Sequence, residues 1–405
     1  PSGISRGAPP AQPSCQISGT PCGAAATTGR TDGNGGTGTG MTTVHLHVGM
    51  PKCASSALQS LLHRNDRRHR AEGLCYPESF RESGGYFSHR PLHRLAPEAI
   101  PAAIDTIARE AEAAGCARLL ISSEEFTNSQ WDRPITGTVV DALNARFGTD
   151  NVRILMLFRN HFPFVESVYA QFLKGGLFRT PQDVFAGPDR GGITTFAASF
   201  RQRNGFDFFS YGDFIERMRF HAPFNPFDLL SIERADWGGQ DVLDVLCARL
   251  GVSRGDEAVA ANTRYSETAL ALLHHARRVH GLDRTRERRD MIAALFPPGK
   301  RAFSRLLHVS GRLFDRIAEA AERDRRYFLR HTSEPCAALF AIPESFAGRR
   351  DRPEDLRLPR WGTELVDRIM QPDRISFAEA KRIRNALMKS ASSTPGTEEG
   401  RGNPA

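Results

Sequence analysis

The stretch TVHLHVGMPKCASSALQSLLHRN, residues 43–65, decides how the chain reads. TVHLHV is a short β-branched and apolar run that stops at Gly49 and Pro51, the pattern of a buried strand closed by a turn. SSALQSLLHRN then puts Ala57, Leu58, Leu61 and Leu62 on one helical face, with Ser55 or Ser56 suited to cap the helix start. A turn between strand and helix aims backbone N–H groups and the positive end of the helix dipole at one spot, so an anion binds there readily. Lys52 adds a full positive charge and the Ser55 and Ser56 hydroxyls add donors. His45 and His47 fall inside the strand, where packing or a backbone hydrogen bond is the expected role.

The alternation continues outward from this unit. EAIPAAIDTIAREAEAAG reads as a helix closed by Gly115, and ARLLIS as the next strand. A helix over 135–147 leads to the continuous apolar strand VRILMLF, and another helix begins after Pro163. DLLSIE, from residue 228, offers a further strand, followed by the helix DVLDVLCARLG. Strands separated by helices of this length predict a three-layer α/β fold, a parallel sheet flanked by helices on both faces. Beyond Ser266 the pattern turns helical, with SETALALLHHARRVHG the clearest case. The expected organisation is a disordered leader over 1–40, with Met41 opening the folded unit, an α/β core over 41–265, a mainly helical part over 266–389 and a disordered tail over 390–405.

No run of about 18 apolar residues occurs, so no bilayer-spanning helix is expected. The Gly-, Thr-, Ala-, Ser- and Pro-rich start lacks the apolar core of a secretion signal. Seven cysteines, an odd number without any C-x-x-C pair, argue against a disulfide framework or a structural zinc site and point to a reducing cytoplasm. The formal charge of +8 raises an anionic partner. The densest basic stretch, RTRERRD at 284–290, carries acids within it, which fits a solvated helix face better than a nucleic-acid surface. A phosphorylated or sulfated small ligand accounts for a basic cleft equally well.

The Walker A pattern puts its lysine directly before the hydroxyl residue at the helix start. Lys52 comes three residues before Ser55, so a kinase or ATPase loop matches poorly. The order PK-x-x-[ST]-[ST] instead resembles the 5′-phosphosulfate-binding loop of the sulfotransferases that use 3′-phosphoadenosine 5′-phosphosulfate (PAPS). FRNHFPFVESVYAQF, residues 158–172, places Arg159 at a strand end and Ser167 eight residues on. That spacing is similar to the sulfotransferase element whose arginine and serine hold the 3′-phosphate of PAPS, and an Arg fork with a helical hydroxyl suits phosphate oxygens. LLISSEEF, RADWGGQDVLDVLCARLGV and NTRYSETALALL look like further segments of bacterial sulfotransferase-like proteins, so the resemblance covers about Met41 to Leu273. It implies the P-loop-type sulfotransferase fold, PAPS as co-substrate, no metal, and a phosphate site made of Lys52, Cys53, Ala54, Ser55, Ser56, Arg159 and Ser167. It departs from the family pattern at Ala54, where glycine is usual, and at Cys53, where a small polar residue is usual. If position 54 needs positive φ, alanine is strained there. Cys53 is either a small filler or, beside Lys52 at a helix start, a thiol of lowered pKa.

Sulfuryl transfer needs the charge on the leaving phosphate neutralised, which Lys52 can do, and a base for the acceptor proton. Glu124, just after ARLLIS, stands where a parallel sheet delivers residues to its active edge, and is the first candidate. Its competing role is to cap the following helix. Glu125, His89 and His93 are the substitutes. The acceptor, a hydroxyl or amine of a small molecule, a glycan or a lipid, would meet segments 76–95 and 172–200 and the C-terminal helices, and Tyr86, Phe87, Arg90, Lys174 and Arg179 there could favour a sugar or an acidic group or could simply pack. Two alternatives stay open: a P-loop nucleotide kinase, and a non-catalytic module that binds a nucleotide or polyanion.

Overall fold

The computed structural model describes residues 42–128, 135–175, 192–255, 265–299, 309, 311–351, 358–371 and 375–393. The expected leader, Arg179 and residues 394–405 lie outside them, whereas 390–393, expected to open the disordered tail, continue the last helix. The quoted stretch forms β1 (Thr43–Gly49), a tight turn, α1 (Ser55–Arg64) and α2 (Asp66–Ala71), followed by β2 (Leu74–Cys75). Next come α3 (Ile100–Ala113), β3 (Arg118–Ser122), α4 (Glu125–Asn128), α5 (Ile135–Phe147), β4 (Val152–Phe158) and α6 (His161–Gly175). α7 (Ile193–Asn204) and α8 (Tyr211–His221) precede β5 (Phe227–Ser231), which leads to α9 (Val242–Arg249).

α6 starts two residues ahead of Pro163, not after it. Proline is tolerated there because the first four N–H groups of a helix have no intrahelical partner to lose.

Among the described residues, five strands form one parallel sheet in the order β2-β3-β1-β4-β5. Leu46 of β1 pairs with Ile121 of β3 on one side and Ile154 of β4 on the other. Both alternating sets of β1 side chains are buried, Val44, Leu46 and Val48 as well as His45 and His47, so both faces of the sheet are covered. The β-branched and aliphatic runs are what such a doubly covered sheet demands.

The remaining helices are α10 (Glu267–His280), α11 (Leu282–Leu295), α12 (Gly311–His331), α13 (Ala337–Phe340), α14 (Glu344–Ala347), α15 (Arg360–Ile369) and α16 (Phe377–Ser393). They divide by the core they join. Leu313, Phe314, Ile317 and Phe328 of α12, with Leu339, Phe340 and Phe346, pack into the same apolar cluster as the sheet. Leu272 and Leu273 of α10, Ile292 and Leu295 of α11, Leu365 and Val366 of α15 and Ala380 of α16 make a separate smaller cluster. The basic run of α11 is not wholly solvated: Arg289 donates to the Lys174 carbonyl at the end of α6.

Candidate functional site

From β1 the chain moves toward β2, whereas from β4 it moves toward β5. Neighbouring connections that leave in opposite directions open a crevice outside the carboxyl ends of those two strands, the place where open α/β sheets bind ligands. Lys52 follows β1 and Arg159 follows β4. Gly49 pairs with Met156 at this edge, and the Cys53 side chain is hydrogen bonded to the Arg159 backbone. The two cationic residues therefore share one edge of the sheet.

The turn itself departs from the expected capping. Ala54, not Ser55 or Ser56, is the N-cap of α1, and no side chain caps that helix. Ser55 instead turns its hydroxyl inward, 3.4 Å from the Met50 carbonyl oxygen and hydrogen bonded to Glu124. Lys52 and Ala54 both have φ near 66°, so the alanine does occupy the left-handed region where glycine is usual. Gly49 has φ 130°, and a Cβ there would lie 2.6 Å from Thr127 Oγ1, so only glycine lets α4 approach the turn. Cys53 is fully buried, and burial pushes its thiol well above the usual range despite the nearby Arg159 charge. It is filler, not a reactive thiolate.

Lys52 Nζ reaches Gln171 Oε1 at 3.4 Å, a long contact, and lies within electrostatic range of Glu124. Gln171 stands one helical turn beyond Ser167 on the same face of α6, so that face looks toward the turn after β1. Arg159, Ser167 and Ser56 are half-buried. Among the described residues the Arg159 guanidinium has no hydrogen bond and no ion pair. Asn160, beside it, is spent on structure: its Oδ1 accepts the Phe162 N–H at 3.1 Å and so caps α6, while Nδ2 donates to the Ala338 and Ala341 carbonyls at 2.9 and 2.7 Å. The Asn160 backbone N–H donates to Glu233 Oε1 at 2.8 Å.

Glu124 does not cap α4. Ser123 does that work, its Oγ accepting the Glu125 N–H at 3.3 Å. The Glu124 carboxyl turns instead toward Ser55 and Lys52, and burial raises its pKa although the Lys52 ammonium pulls the other way. Glu125 sits in the first turn of α4. Of the substitute bases, His89 is buried with both ring nitrogens on the backbone, Nδ1 accepting the Ser122 N–H at 3.2 Å and Nε2 against the Pro77 carbonyl at 3.2 Å. His93 is buried against the Phe126 ring, 4.4 Å between centroids. Burial pushes both histidines down to about 4, which keeps them neutral. His47 Nδ1 lies 2.7 Å from Ser122 Oγ, but both residues are fully buried, so this pair supports the sheet and does not meet a substrate.

Of the expected acceptor residues, Tyr86 is 61% exposed and Phe87 stacks on His63 at 3.8 Å with φ 52°. Arg90 is exposed within electrostatic range of Glu124, whereas the Lys174 ammonium lies over the Tyr265 ring at 4.1 Å. Gln171 and Glu233 escaped the sequence reading. Gln171 follows Ser167 by four positions, a spacing that could have drawn attention to it; nothing local marks Glu233.

Among the described residues, no group of three or more His, Cys, Asp or Glu could hold a metal ion. No described helix is long and apolar enough to cross a membrane. No family model, no curated protein and no solved structure matches the chain.

Proposed function

We propose that the chain is a PAPS-dependent sulfotransferase acting on a hydroxyl or amine of a small-molecule or glycan acceptor, with the P-loop-type sulfotransferase fold. One observation carries this reading: an arginine whose guanidinium has no hydrogen bond or ion pair among the described residues, and a lysine held by one long amide contact beside Glu124, follow adjacent strands at the direction-changing edge of a parallel sheet. Charges withdrawn from water are ordinarily paired, so two cations at one crevice, the arginine unpaired among the described residues, suit a ligand with two anionic groups.

PAPS supplies the sulfuryl group, carried on its 5′-phosphate. Lys52, with the amides of the turn and the Ser56 hydroxyl, holds the 5′ end and neutralises charge there, while the inward Ser55 hydroxyl supports Glu124. Arg159 and Ser167 hold the 3′-phosphate, the Arg fork matching its oxygens. Glu124 takes the proton of the acceptor, and a carboxyl raised by burial is a stronger base than one in water. Cys53 and Ala54 shape the turn without donating side-chain hydrogen bonds to the ligand.

Calorimetry with 3′-phosphoadenosine 5′-phosphate (PAP), the desulfated product, tests this. The expected result is micromolar binding that weakens about tenfold or more in Arg159→Ala, the loss typical of a charge-assisted hydrogen-bonded pair. Tighter binding of ATP than of PAP would transfer the site to nucleotide kinase chemistry. PAP binding without sulfate transfer to any of a panel of glycans, lipids and phenols would leave a binding module.

A further inference from the structure

The corner that carries Arg159 is held from behind by residues with no part in the scheme above. Asp324 of α12 is 4% exposed, and its carboxylate accepts three hydrogen bonds: from His161 Nε2 at 2.8 Å and the Tyr211 N–H at 2.7 Å on Oδ2, and from the Gly212 N–H at 2.9 Å on Oδ1. His161 opens α6, and Tyr211 and Gly212 open α8. One carboxylate thus joins two helix starts, where the helix dipoles and unpaired amides favour an anion.

Tyr211 reaches back from there. Its ring contacts Phe158 at 5.0 Å and His161 at 4.2 Å, centroid to centroid, the residues on either side of the Arg159–Asn160 corner. Its hydroxyl donates to the Arg159 carbonyl oxygen. With the Asn160 N–H on Glu233, the backbone is tied on both sides of the peptide that follows Arg159, while the guanidinium is left without a hydrogen bond or ion pair among the described residues. A fixed main chain beneath an unpaired guanidinium preorganises part of an anion site: the ordering cost of the backbone is met on folding, before the ligand arrives.

We propose that Asp324 and Tyr211 are positioning residues for Arg159, and that through them α12 sets how strongly the site prefers a 3′-phosphorylated adenosine over one without that phosphate. The ligand named here rests on the nucleotide reading above; the positioning of Arg159 does not. Neither residue touches the ligand.

Tyr211→Phe removes one oxygen atom and keeps the ring packing, so the fold survives it. PAP affinity should fall about fivefold, the worth of one hydrogen bond, while affinity for adenosine 5′-monophosphate stays within about twofold. In hydrogen exchange without ligand, the Arg159 and Asn160 amides should exchange about tenfold faster, with β1 and β5 unchanged. Asp324→Asn should move both readouts in the same direction. Wild-type nucleotide preference with wild-type exchange at 159 and 160 in Tyr211→Phe would overturn the proposal. So would an equal loss of both nucleotides with faster exchange throughout, the mark of a general stability role. A wild-type protein that does not prefer PAP over adenosine 5′-monophosphate would sink the nucleotide reading alone, and exchange at Arg159 and Asn160 would still decide the positioning.

Discussion

Ala54 holds a left-handed conformation that costs an L-residue about 1–2 kcal/mol relative to glycine, only part of which glycine gives back through its freer unfolded chain. Ala54→Gly should therefore stabilise the protein by about 0.5–1 kcal/mol, read as a higher urea midpoint; an unchanged or lower midpoint would show that the turn bears no strain there. That Lys52, Arg159 and Glu124 lie at one edge of the sheet was legible in the sequence, because each comes within three residues of the end of a strand and the strand ends of a parallel sheet converge there. The behaviour of Cys53 was only half legible. Its neighbours in sequence, a lysine and a helix start, argue for a low thiol pKa, but its complete burial reverses the sign. Tyr211 and Asp324 were invisible, since Tyr211 reaches Arg159 across 52 residues of chain and Asp324 reaches His161 across 163.

α6 owes its start to Asn160, which caps the helix and satisfies two carbonyls of the distant 338–341 segment. Asn160→Ala should cost about 2–4 kcal/mol, a lost cap plus unpaired buried groups, visible as a lower thermal midpoint. A loss below about 0.5 kcal/mol would mean that water replaces the amide without penalty. At this scale the long periodic segments read well: β1, β3, β4, β5 and the helix over 135–147 fall where their patterns put them. β2 is two residues long and carries no periodicity to read, so its place at the sheet edge emerges only from pairing with Leu119 and Arg118. The start of α6 moved because proline is harmless in a first turn, a case where the usual breaker signal does not apply.

Across the whole molecule, His45, His47, His89 and His93 are buried, and burial lowers each to about 4. In the unfolded chain they titrate near about 6.5, so between about pH 6.5 and 4 the unfolded state binds more protons. Their contribution to stability is complete above about pH 6.5 and is lost as the pH falls toward 4. Urea midpoints at pH 7.5, 6 and 5 should decline in that order; a flat series would mean that these rings accept protons while folded. The parallel arrangement of the sheet follows from the alternation of strands and helices along the chain. The sharing of the main core by α12 was not legible, because an amphipathic helix shows which face it buries and not against what.

That sharing has a consequence for synthesis. The five described strands have been translated once residue 231 is made, yet Phe158 meets Phe328, and Phe162 meets Phe314 and Phe346, only much later. A nascent chain paused on the ribosome between those points displays bare aromatic rings beside its most important corner, the form of chain that chaperones capture. Release of a competent protein must wait for the segment around residue 346.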